Sequence, residues 1–196
     1  MNHFVLTAVV LFSSLFSDPL DAQGPMRVAP SGRAFTEVQL TMIDTAAARA
    51  AGAPSKIRIE YGQPHLRGRT LHTEGLVPYD QGWRLGANDA TMLTTDVALV
   101  IGGQPVPKGS YVLLAMPARN GWKLFIQKPV GSTMAAAMSY KPEYDIARID
   151  LRVSTLTTPL ESFTMWLVPS TGADAAKGEL RFAWGTALLS TDWIVK

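Results

Sequence analysis

The chain has 196 residues, 47% hydrophobic and 17% charged, with a formal net charge of +2 and no cysteine. The absent cysteines exclude disulfides, thiolate metal sites and an acylated lipoprotein anchor. The mild positive charge is not gathered into one basic run, which argues against a nucleic-acid partner.

At the N-terminus, Phe4 to Phe16 is an apolar run broken only by Thr7, Ser13 and Ser14. Its length suits the apolar core of a secretory signal and is too short to span a bilayer comfortably. Residues 1–22 are therefore expected to be a signal peptide cleaved near Ala22, giving an exported chain, periplasmic or extracellular, with no transmembrane segment. Residues 23–34 include "GPMRVAPSGRA", whose Gly, Pro and small residues predict a flexible leader. A single domain is expected over 35–196.

Beyond the leader the pattern has period two. Val38, Leu40 and Met42 alternate with polar residues, and so do Ile57, Ile59 and Tyr61. Between them "AAARAAGAPS" predicts one or two helical turns, stopped by Gly52 and Pro54. Val97, Leu99 and Ile101 lead to Gly102-Gly103, a pair suited to a tight turn of positive φ. Pro105 and Pro107 suit a sheet edge, because proline donates nothing to a ladder. Tyr111, Leu113 and Ala115 and then Trp122, Leu124 and Ile126 flank Asn120-Gly121, a hairpin signal. "STMAAAMSY", Ser132 to Tyr140, reads as a short helix or a covering loop. Further alternating runs lie at Ile149–Val153, Phe163–Leu167, Leu180–Trp184 and Ala187–Val195, with "STGADAAKG" as a turn. Trp122, Trp166 and Trp184 are expected in the core, and an exposed one would be able to stack on a sugar face. The sum is an all-β fold with little helix, an antiparallel β-sandwich (jelly-roll-like) or flattened barrel of about nine strands.

Two segments hold more polar residues than turns require. In "EYGQPHLRGRT" a strand runs into His65, Arg67 and Arg69; if the strand continues, the two arginines share one face and repel unless a carboxylate, water or anionic ligand lies between them. In "LVPYDQGWRLGANDATMLTTD", Arg84 precedes a turn that contains Asn88 and Asp89. Arg84 has two readings: an internal arginine paired with Asp145 or Glu143, or a guanidinium clamp for an anion. Asn88 and Asp89 shape the turn.

Together with "VPKGSYVLLAMP" and "YDIARIDLRV", these segments resemble the bacterial family called domain of unknown function 2911. "WRLGANDAT" is close to that family's Trp-Arg-x-Gly-Ala-Asn-Glu-Ala-Thr, and the likeness runs in order from about Lys56 to the end of the chain. This chain has Gln63 where the family commonly has Arg, and "VGSTMAAAMSY" where it has a Trp-Gly pair. The resemblance implies an envelope or secreted protein and brings no established activity.

The resulting expectation is a non-enzymatic binding or structural module for a small anionic or carbohydrate-like ligand. Its contacts would be His65, Arg67, Arg69, Arg84 and Asn88, with Asp145 orienting Arg84. One alternative is a hydrolase or isomerase with His65 as acid or base and Arg84 stabilising negative charge. Another is a domain that pairs with envelope proteins through a sheet edge. His65 and His72 are the only histidines beyond the signal, and no HxH, HExxH, Gly-x-Ser-x-Gly or phosphate-loop pattern occurs. Neither a metal nor a cofactor is expected.

Overall fold

The computed structural model describes residues 24–73, 75–130, 140–172 and 175–196. The expected signal segment and the stretch 132–139 lie outside them. Nine strands form one antiparallel sheet: β1 (Arg33–Leu40), β2 (Ser55–Gly62), β3 (Thr91–Thr95), β4 (Leu99–Ile101), β5 (Gln104–Val106), β6 (Gly109–Ala118), β7 (Gly121–Gln127), β8 (Asp145–Pro169) and β9 (Lys177–Val195). Their order is β1-β2-β3-β6-β7-β8-β9-β4-β5, and the sheet does not close into a barrel. One helix, α1 (Thr45–Ala51), joins β1 to β2, capped by the Asp44 carboxylate at Ala47 N and ended by Gly52 at φ 75°.

Period two places the alternate residues Ile57, Ile59, Tyr61, Leu113, Leu124, Ile149 and Phe182 in one buried cluster. The turns form where the glycines allow them. Gly102 and Gly103 have φ 54° and 80° and link β4 to β5, while Ala118 pairs with Gly121 across the β6–β7 hairpin. Pro105 stands on β5, the short outermost strand, which offers another chain few donors.

The strands are divided differently from the sequence expectation. Ile149–Val153 and Phe163–Leu167 belong to one 25-residue strand, β8, and the last two runs to the 19-residue β9. Register with β9 is lost between Thr155 and Leu160 and again before Thr164. Such irregularity bends a strand. Before the bend β8 pairs with β7, and from Arg152 onward it pairs with β9.

The bend brings the outer edge of β8 against the opposite flank of the sheet. There the backbone groups of β8, donors and acceptors both, find partners one after another. Phe163 N donates to Pro64 O (2.9 Å) and Leu66 N to Glu161 O (2.8 Å). Met165 N donates to the Tyr61 hydroxyl (3.1 Å) and Leu167 N to Thr36 Oγ1 (3.1 Å). Gln63 Nε2 adds a bond to Phe163 O (3.0 Å). A buried amide without a partner is costly, and this seam satisfies them where no ladder does. Burial of the Tyr61 phenol also raises its pKa, against the opposing effect of the Met165 amide.

Trp122 and Trp184 lie in the core as expected, but Trp166 does not: it is 37% exposed on the outward face of β8.

Candidate functional site

Residues 63–90 connect β2 to β3 and cover one end of the curled sheet. The connection lies close because Gly62 and Gly86 carry no side chain. A Cβ on Gly62 would stand 1.9 Å from Ala87 O, and one on Gly86 would stand 2.8 Å from Thr91 Oγ1. Ala87 N donates to Gly62 O (3.0 Å), and buried Thr91 donates to Leu85 O (2.8 Å). Trp83 Nε1 donates to Gly86 O (3.2 Å), and the Trp83 backbone bridges to Ala115 on β6. The Trp83 ring stacks on Trp184 at 5.8 Å and meets Phe163 edge-on at 5.0 Å. The segment "WRLGAND" thus acts as a plug fixed by its own polar groups.

The candidate residues do not converge. His65 forms an isolated bridge with Ser162, and its ring is engaged at both nitrogens: Nδ1 lies 2.8 Å from Ser162 Oγ and Nε2 lies 3.4 Å from Ala29 O. Since a carbonyl only accepts, Nε2 carries the proton and Nδ1 accepts from the serine. Both ring nitrogens are thus turned to groups of the protein itself. Asn88, at φ 61°, donates from Nδ2 to Ser31 O (3.1 Å). His65 and Asn88 therefore hold the segment ahead of β1 against the sheet.

Arg67 and Arg69 do not share a strand face. β2 ends at Gly62, and Arg67 (φ 50°) and Gly68 (φ 75°) turn the chain through the left-handed region. The Arg67 amide donates to the Glu161 carboxylate (2.7 Å), while Arg69 folds back to donate to Leu66 O (2.9 Å) and His65 O (2.8 Å). Asp145 does not orient Arg84. Its carboxylate accepts from Gln127 Nε2 (2.6 Å), the Tyr140 hydroxyl (3.0 Å) and Arg148 Nε. Burial, then the Asp145 carboxylate, pushes the Tyr140 phenol up. Arg84 itself is half-buried between Trp83 and Leu85.

What the fold brings together instead is Arg69 and His72. Both line a cleft of about 340 Å³ with Leu66, Thr70 and Leu71, closed on the far side by Pro159 and Gly185–Ala187 at the bend of β8 and β9. His72 sits at φ 65° and its Nδ1 lies 3.1 Å from Val77 O. Nδ1 must donate to that carbonyl, so the neutral ring presents Nε2 as an acceptor. The imidazole stacks on Tyr79 at 4.2 Å and meets Trp122 edge-on at 5.5 Å, and Arg119 lies 5.0 Å from the Tyr79 ring. Left-handed backbone gathers in this connection: Arg67, His72, Val77, Asp80, Leu85 and Asn88 all have positive φ, with only Ser31 elsewhere among the described non-glycine residues. Val77 is β-branched, for which that region is costly. The sequence marked Arg69 by its charge. It showed His72 only as one of two histidines beyond the signal, because Trp122, which its ring meets, and Gly185 and Thr186, which share its cleft, are far away in the chain.

A second charged set lies on the outer face. Arg152 reaches Asp192 (2.8 Å) and Glu179 (2.9 Å), and Arg181 joins Glu179. Hydrogen bonds from Arg152, then Arg181, bring the Glu179 carboxyl down to about 2. This network pairs its own charges and leaves little for a ligand.

Among the described residues no group of three His, Asp or Glu side chains is placed to hold a metal, and no helix is long and apolar enough to cross a membrane. No curated protein and no solved structure matches the chain. Residues 44–192, which include the connection, the cleft and every strand but β1, with β9 as far as Asp192, match the family described as "Protein of unknown function (DUF2911)", and the chain belongs to that family.

Proposed function

We propose that the protein is an exported, non-enzymatic binding module that holds a small anionic sugar-like molecule in the cleft between Arg69 and His72. The observation that carries this reading is the fixed guanidinium of Arg69. Two backbone carbonyls hold it at the cleft, so little side-chain entropy is lost when its remaining N–H groups meet a carboxylate or phosphate. His72 Nε2 and the Thr70 and Thr186 hydroxyls supply acceptors and donors for sugar hydroxyls, and Leu66, Leu71 and Pro159 supply an apolar wall. Strained backbone held in this one connection supports the same reading, because strain persists where the surroundings fix it and gathers at ligand sites. His65, Asn88 and Asp145 then serve the fold, and Arg67 stands exposed beside the site. Export rests on the apolar run Phe4–Phe16.

Calorimetry with glucuronate, glucose 6-phosphate, inorganic phosphate and neutral glucose tests the site. The charged sugars are expected to bind best, and Arg69→Gln to weaken them about tenfold by loss of a charged hydrogen bond. Thr186→Trp fills the cleft while keeping the Arg69 guanidinium in the sequence and is expected to remove binding. No binding by any of the four, or full binding by Thr186→Trp, ends the proposal. Intact mass of the protein from the periplasm or medium tests export: a start near Gln23 is expected, and a full-length cytoplasmic product contradicts it.

A further inference from the structure

The opposite end of the sheet carries a second cleft that the reading above does not use. β1 does not reach β2 by a tight turn but detours through Met42, Ile43 and α1. The detour stands over the sheet end without sealing it, for α1 has no buried residue. Beneath it lies a cleft of about 530 Å³, walled by Leu40, Met42, Ile43, Ala48, Ala51 and Val195. That volume falls within the range of about 300–1,000 Å³ usual for small-molecule sites. Among the described residues its polar side chains are few: the hydroxyls of Thr41 and Ser55 and one charged side chain, Lys196.

We propose that this cleft binds a free long-chain fatty acid, its hydrocarbon tail lying under α1 and its carboxylate facing Lys196. Three observations converge. Ile43 is 84% exposed and Met42 59% exposed at the cleft, although Val38, Ile57, Ile59 and Tyr61 on β1 and β2 are buried. Covering such surface with hydrocarbon gains roughly 25 cal/mol per Å². The walls are mainly apolar side chains, the surface a hydrocarbon tail covers best. Among the described lining residues Lys196 is the one cation, and it complements the single anion of a monocarboxylate. The helix is suited to admit a chain. It presents alanines to the cleft, it is short at 7 residues, and it buries no residue, so the core does not depend on its position.

The test is a titration of the full chain with palmitate, followed by calorimetry and by methyl NMR of Met42, Ile43 and Val195, with hexadecanol as the uncharged control. One-to-one saturable binding is expected, with shifts at those methyls. Ala51→Trp narrows the cleft from a helix that buries nothing and is expected to weaken palmitate at least about tenfold. Lys196→Gln is expected to weaken palmitate and leave hexadecanol unchanged. The inference is overturned if palmitate does not bind, or if Ala51→Trp binds it as the parent does. It is overturned equally if the free chain dimerises through Ile43, so that Ile43→Ser gives a monomer, or if lipid vesicles capture the protein and free palmitate does not.

Discussion

At the end of the sheet covered by residues 63–90, Gly62, Gly86, Thr91 and Trp83 lock the connection against β2 and β6, and an aromatic cluster seals what lies beneath. At the end covered by α1, a helix with no buried residue leaves Met42 and Ile43 open to solvent. The same two strands, β1 and β2, supply both ends. The difference lies in what the connecting residues can bury. The connection 63–90 brings Leu76, Val77, Leu85 and Trp83 to the core, whereas α1 brings mostly alanine. The first end holds a cleft that carries Arg69 and His72 beside a locked connection, and the second leaves an apolar space that its own chain does not fill.

The largest expected effect belongs to the locked end. Trp184→Ala removes the ring on which Trp83 stacks and is expected to cost about 4 kcal/mol in urea unfolding. Ile43→Ser at the other end is expected to cost less than about 0.5 kcal/mol. Similar losses from the two would erase the contrast. Gly62→Ala places a methyl 1.9 Å from Ala87 O, and about 3 kcal/mol is expected as the connection shifts. Thr91→Val leaves the buried Leu85 carbonyl without its donor, and about 1–2 kcal/mol is expected. In each case an unchanged midpoint contradicts the lock.

The smallest effect is a pH dependence that belongs to neither end. The Glu179 carboxyl is lowered from its ordinary 4.5 to about 2 by Arg152 and Arg181. A lowered carboxyl stabilises the fold above its unfolded value, and the contribution is lost as pH falls from about 4.5 toward 2. The guanidinium of Arg152 is half exposed, so solvent screens the gain. Urea midpoints measured down that range are expected to fall less steeply in Glu179→Gln than in the parent. Parallel curves would show that the pairing does not stabilise the fold.

The contrast between the ends also explains what the sequence revealed. Ile57, Ile59 and Tyr61 declare their strand by period, and Gly102-Gly103 and Asn120-Gly121 declare their turns by conformational need. Gly52 and Pro54 declare the end of α1 in the same local way. The continuity of β8 is not local. Its residues between Val153 and Pro159 are mainly outward at the bend, so the alternating signal lapses while the strand runs on. Side-chain partners are less legible still. His65 finds Ser162 at a separation of 97 residues, and Asp145 takes Arg148 and Gln127 rather than Arg84. A basic residue announces its charge in the sequence, but whether the charge faces a ligand or a neighbouring carbonyl is decided by how the sheet curls.

Amide NMR mapping with glucose 6-phosphate tests the central claim most directly. The account predicts that Thr70, Leu71, His72 and Gly185–Ala187 shift together and saturate, while Ala48, Ala51 and Val195 stay still. Shifts centred on Arg84 and Arg148, or none beyond those that inorganic salt produces, would contradict it.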